Sequence, residues 1–137
     1  MLIALEQSDP ATPVWGFWPD SSIGLWEQRM VVETGVHRWD ADQAFGVEGG
    51  LNGTVALAGL EEYARMWLPR LGDVPTIEVI AEDLGRRWAY GEGMPAATVS
   101  GTASDIYLRL MSRPSSLDLP PAWAAAVDSL EPPPKSS

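Results

Sequence analysis

The chain has 137 residues, 45% of them hydrophobic, which is enough for one ordinary domain or two small units sharing a core and favours folding over disorder. A net charge of −10, with Arg86-Arg87 as the only adjacent basic pair, argues against a nucleic-acid partner and against an anionic membrane surface, since both need a basic patch. The chain lacks cysteine, which excludes a disulfide framework and a thiolate metal site, so any reactive thiol must come from a substrate or cofactor. The opening MLIALEQSDP is too short and too acidic for a signal peptide, and no apolar run is long enough to span a bilayer. The expected location is the cytoplasm.

In chain order, residues 1–9 read as the tail of a helix, with Ser8-Asp9-Pro10 as its stop. Residues 10–22 form a loop with three prolines, and Asp20, Ser21 or Ser22 can cap the next helix. Residues 23–45 are that helix, a long one ended by Gly46 in the C′ role. Trp26, Met30, Glu33 and His37 share one of its faces, at steps of four, three and four, and this face is expected to point inward. Gly35 costs about 1 kcal/mol inside a helix relative to alanine, which suggests close approach of a neighbouring helix. Residues 46–53 read as a flexible loop. A second amphipathic helix, 54–68, turns Val55, Leu60, Tyr63 and Trp67 inward. The proline-flanked segment 69–75 is the best boundary in the sequence.

The pattern then changes. Residues 76–82 alternate as a strand, with Ile77, Val79 and Ala81 on one face, and 85–91 and 96–101 read as two more strands. A helix over 102–113 has Thr102 as N-cap, Asp105 at N3 and Pro114 as its stop. A last helix spans 121–130, followed by a disordered tail. Helices first, then a small antiparallel sheet with two helices, is an α+β arrangement.

Glu33 and His37, the only histidine, lie at i and i+4, about 6 Å apart on one helix face. Imidazole plus carboxylate suits Zn²⁺, Ni²⁺, Mn²⁺ or Fe²⁺. The spacing alone equally describes an ordinary helix-surface pair. An inward-pointing face would favour the metal, because a buried carboxylate needs a cation or strong donors.

The segment WEQRMVVETGVHRWDADQAFG resembles the signature helix of the mycothiol-dependent maleylpyruvate isomerase family, a W-x-x-R-M-x-x-E-x-x-x-H-R-x-D-A pattern matched by Trp26, Arg29, Met30, Glu33, His37, Arg38, Asp40 and Ala41. ALAGLEEY (56–63) resembles the family's next helix. Residues 88–113 are similar to its C-terminal domain of sterol-carrier type, although Met111-Ser112 stands where the family usually has tryptophan-glycine. The likeness covers roughly residues 10–130.

The resemblance implies a DinB-like metal-binding helical domain over 1–68, an α+β domain over 69–131 and a tail over 132–137. It implies that Glu33 and His37 are two ligands of a divalent metal, usually zinc, which activates the thiol of mycothiol as a nucleophile toward a small organic acid. The family's third ligand is a histidine from an earlier helix, and this chain has no second histidine. With two ligands of three, the chain reads as the C-terminal portion of a longer protein, a missing N-terminal helical segment or self-association being expected to cover the Trp26/Met30 face.

Arg29 and Arg38 are candidates for binding substrate or cofactor, or for ion pairs with Asp40, Glu27 or Asp42. Asp40 is a candidate acceptor behind His37. The family's C-terminal arginine has no single counterpart among Arg86, Arg87 and Arg109. The Trp15-Gly16-Phe17-Trp18 cluster either lines a pocket or packs a loop. The competing reading is a non-catalytic ligand-binding or dimerisation module that keeps half a metal site.

Overall fold

The structure, a computed structural model, describes residues 7–16 and 20–130. Of the expected helix tail over 1–9, residues 7–9 are turn, bend and coil rather than helix, and residues 1–6 lie outside the described residues, as do Phe17 and Trp18 of the aromatic cluster and the expected tail from residue 131 onward. Among the described residues, four helices and three strands follow in the order α1 (Ile23–Ala44), α2 (Gly53–Met66), β1 (Ile77–Ala81), β2 (Arg86–Tyr90), β3 (Ala97–Gly101), α3 (Ala103–Leu110) and α4 (Pro121–Asp128), with a 3₁₀ turn at Leu68–Arg70. The class is α+β. Among the described residues no helix is long and apolar enough to cross a membrane. The chain divides into two compact units, one ending at Gly59 and one starting at Leu60, so the division falls inside α2.

In the first unit, the preceding loop caps α1. Ser22 is the N-cap and its Oγ accepts from the Leu25 amide. The Ile23 and Gly24 amides, which have no partner within the helix, donate to the carbonyls of Thr12 and Pro10 at 3.0 and 2.9 Å. The Trp26 indole donates to the Trp15 carbonyl at 2.9 Å, so the proline-rich loop is fastened to the helix although the Trp15 side chain is itself 75% exposed. At its far end α1 closes in a Schellman motif. Gly46 takes φ +72°, its amide donates to the Gln43 carbonyl, and the Val47 amide donates to the Asp42 carbonyl.

The buried stripe of α1 is Val32, Val36 and Trp39. This corrects the expectation that Trp26, Met30, Glu33 and His37 point inward: Met30 and His37 are exposed, and Trp26 and Glu33 are half-buried. The reason is Gly35, in register with the Val32/Val36 stripe. A Cβ at Gly35 would lie 2.5 and 2.6 Å from the two Val55 methyl carbons, so α2 approaches α1 on this side. The Gln28 amide donates to the Ala58 carbonyl across the same contact. The loop between the helices is tied down by Leu51, which is buried, and by the Trp39 indole donating to the Gly49 carbonyl. Asn52 caps α2 through the Thr54 amide. Of the four residues expected inside α2, Leu60 and Tyr63 are fully buried, while Val55 and Trp67 are half-buried.

The second unit is built on a sheet of order β2-β1-β3. β1 and β2 form the expected antiparallel hairpin, with Val79 opposite Trp88. β3, however, runs parallel to β1, with Val79 opposite Val99. The sheet is therefore mixed, which corrects the expectation of an antiparallel one. Between β2 and β3 the chain must pass the start of β1 within residues 91–96. Gly91 makes this passage, at φ +115°, where a Cβ would sit 2.5 Å from the Thr76 hydroxyl oxygen and 3.0 Å from its Cα. Thr76 then holds both sides of the crossing: its hydroxyl donates to the Glu92 carbonyl, and its carbonyl accepts from the Ala96 amide.

Ile77, Val79 and Ala81 are buried on one face of β1, as the alternation predicts. α3 lies against β1 and β3. Thr102 caps it through the Asp105 amide, and the Asp83 carboxylate, in the β1–β2 turn, accepts from the Ala103 amide. The helix ends before Pro114. Ser112 adopts φ +56° and completes a second Schellman closure, with the Arg113 amide on the Leu108 carbonyl.

The core of this unit is aromatic. Tyr90 stacks between Tyr63 and Trp123, at centroid separations of 5.5 and 6.2 Å. Each polar tip meets a backbone carbonyl: Tyr90 that of Leu60, Tyr63 that of Leu110, and Trp123 that of Pro75. Burial pushes the Tyr63 and Tyr90 hydroxyls well above their ordinary range, so both stay protonated donors.

α4 is fastened to α3 by a two-pronged pair, Arg109 Nη1 and Nη2 on Asp128 Oδ1 and Oδ2 at 2.8 and 3.1 Å. The hydrogen bond from Arg109, more than its charge, holds the Asp128 carboxyl below its usual range. The stability it gives is present above the ordinary carboxyl pKa and is lost as pH falls through the depressed one. Asp128 is largely exposed, so the contribution is at most about 1 kcal/mol. Asp128→Asn should therefore lower Tm at pH 7, and the gap to the wild type should narrow as pH falls below the ordinary carboxyl range. A gap that stays constant from pH 7 to pH 2 would refute this account.

Candidate metal centre

Four charged residues from successive turns of α1 form a chain along its surface. Arg29 is ion-paired with Oε1 of Glu33. The other carboxylate oxygen of Glu33, Oε2, lies 3.0 Å from Nε2 of His37. The second ring nitrogen of His37, Nδ1, lies 3.4 Å from Oδ2 of Asp40. The spacings i, i+4 and i, i+3 put all four on one side of a regular helix. Arg38 is outside this chain: it is exposed and points to Asp42 at 3.9 Å.

The proton count of the imidazole decides what this arrangement can do. As an imidazolium the ring donates to both carboxylates. As a neutral imidazole it has one proton, which either carboxylate can accept; only the tautomer protonated at Nδ1 turns the Nε2 lone pair toward the Glu33 carboxylate, and there a metal ion can lie between the two.

The donor set fits a metal as a two-atom chelate. Two ligands at ~2.0–2.1 Å from zinc with a tetrahedral angle between them are about 3.3 Å apart. Glu33 Oε2 and His37 Nε2 stand within a few tenths of an ångström of that separation. Each ligand's other atom is already engaged, Oε1 by Arg29 and Nδ1 by Asp40, so both are pre-oriented. The position is accessible, with the His37 side chain 69% exposed and that of Glu33 37% exposed. Among the described residues, however, no group of three or more His, Asp or Glu side chains could enclose an ion.

The arginines considered for the C-terminal unit are all engaged. Arg86 pairs with Glu61 and stands over the Trp88 ring, Arg87 pairs with Glu78, and Arg109 with Asp128. These partners belong to different elements, and no local spacing announces them. The role of Arg29 as the holder of Glu33 is, by contrast, an i, i+4 relation visible in the sequence. No family model, curated protein or solved structure matches the chain.

Proposed function

We propose that α1 carries half of a divalent-metal centre, with Glu33 and His37 as ligands and Arg29 and Asp40 as the groups that orient them. The observation carrying this reading is the Glu33 Oε2–His37 Nε2 approach at 3.0 Å with the far atom of each ligand held. The four residues are also the charged core of the segment that resembles the mycothiol-dependent maleylpyruvate isomerase family. On that likeness the centre serves an isomerase or S-transferase reaction of a small organic acid. The ion, when bound, supplies Lewis acidity and keeps the thiol of mycothiol as a thiolate. The lack of cysteine in the chain agrees with a thiol that arrives with the cofactor.

A second reading is favoured by the two carboxylates that flank both ring nitrogens. In that reading the four residues are a surface polar network around His37, in a non-catalytic ligand-binding or dimerisation module.

Zinc titration against a chromogenic chelator separates the two. The wild type is expected to bind zinc. Glu33→Ala or His37→Ala should abolish that binding, and Asp40→Asn should weaken it ~10–100-fold. Addition of mycothiol should raise the apparent zinc affinity, because a further ligand of the ion stabilises the bound state. Zinc binding that is absent, or unchanged in the Glu33 and His37 variants, would leave only the polar network.

A further inference from the structure

We infer, resting on the reading of Glu33 and His37 as ligands, that a second copy of this chain completes the site. The pair would form through an antiparallel contact of α1 with α1 around a shared metal ion. Zinc in a closed site takes four donors, and one chain presents two on an exposed helix face with no third candidate among the described residues. A two-fold axis through the ion doubles each donor and gives two carboxylates and two imidazoles, to which a thiol would add as a fifth ligand.

The rest of that face suits such an axis. If it passes at the level of Gly35, Glu33 of one copy lies beside His37 of the other. The bulky first half of the face then meets the small second half: Trp26 falls opposite Ala44, and Met30 opposite the turn of Asp40 and Ala41. Met30 is 47% exposed and Ala41 and Ala44 are exposed, so the face is open to a partner. Arg29 of one copy comes level with Ala41 of the other, next to Asp40, so opposite charges approach each other. Each chain carries a net charge of −10, which opposes association. A divalent cation at the axis offsets that repulsion where the helices touch, so pairing should require the metal.

Sedimentation equilibrium of the full chain, with zinc and with a chelator, tests this. With zinc, the expected mass is that of two chains and the titration ends at one zinc per two chains. With chelator the mass returns to that of one. Glu33→Ala and His37→Ala should remain single chains at all zinc concentrations. Ala44→Trp, at an exposed position in the small half of the face, sets a second indole against Trp26 of the partner. It should keep zinc binding at one ion per chain, with weaker affinity and no pairing. If the wild type binds one zinc per chain and stays single, the half site stands and the two-fold pairing is overturned. If no zinc binds, the reading of the ligands itself fails. A pair that persists in chelator, or in Ala44→Trp, would overturn the metal-bridged contact.

Discussion

Replacing Trp123 by alanine is expected to remove ~3–5 kcal/mol from the stability of the second unit, the largest effect of any single side chain considered. Trp123 is fully buried, and it makes three kinds of interaction at once. Its ring closes the stack over Tyr90, its indole nitrogen satisfies the Pro75 carbonyl at 2.6 Å, and its bulk is wholly inside the core. Truncation would leave a cavity beside two tyrosines whose hydroxyls are already committed to the Leu60 and Leu110 carbonyls, so they cannot turn to fill it. Trp123→Phe keeps a six-membered aromatic ring but loses the pyrrole part of the indole together with the hydrogen bond, so it should cost less than alanine, about 1–3 kcal/mol. Amide exchange at Val79, at the centre of the sheet, reads both. Protection should fall by roughly two to four orders of magnitude for alanine and by one to two for phenylalanine. Equal losses for the two variants would mean that packing contributes little and the hydrogen bond carries the effect.

Gly35→Ala tests the opposite kind of constraint, a place where the chain tolerates no added atom. Helix propensity alone would make this change stabilising by about 1 kcal/mol. The new methyl would meet both Val55 methyl carbons at about van der Waals overlap, and overpacking of this kind costs ~1–3 kcal/mol. The net result expected is destabilisation. Val55→Ala removes the two methyls but not the Val55 Cβ, which would still lie 3.1 Å from the new atom and must give way slightly. The double variant should therefore be more stable than the sum of the single changes predicts, by at least about 1 kcal/mol. Urea unfolding of the four proteins of the cycle measures that coupling. Strict additivity would show that the two helices do not meet at Gly35.

The same glycine explains why the inward face of α1 is hard to read from the sequence. Apolar residues lie all round this helix: Trp26, Met30, Val31, Val32, Val36 and Trp39 leave no clean stripe. Trp26 and Met30 are the larger residues near the pair, and their step to Glu33 and His37 suggests an interior. The chain buries the Val32, Val36 and Trp39 side because only there, at Gly35, can a second backbone come close. Element positions are legible from local signals, since Ser22, Gly46, Thr102 and the alternation of Ile77, Val79 and Ala81 act within a few residues. Strand direction is not, because alternation is the same in parallel and antiparallel pairing. What reverses β3 is the passage at Gly91 and Thr76, outside any strand. At the candidate site, Arg29, Glu33, His37 and Asp40 are all legible because one helix holds them. The partners of Arg86 and Arg109 are not, because they come from other elements.

The mixed sheet also fixes an order of events in time. β1 can pair with β2 as soon as a four-residue turn closes, a step of microseconds for a hairpin. Its other side waits until the chain has crossed at Gly91 and laid β3 alongside, with the Glu82 amide meeting the Gly101 carbonyl last in the register. During synthesis, therefore, the strand that becomes the centre of the sheet spends an interval as an edge. That edge carries Ile77, Val79 and Ile80, the kind of unpaired apolar strand on which chains associate wrongly. The short connection over 91–96 keeps that interval brief.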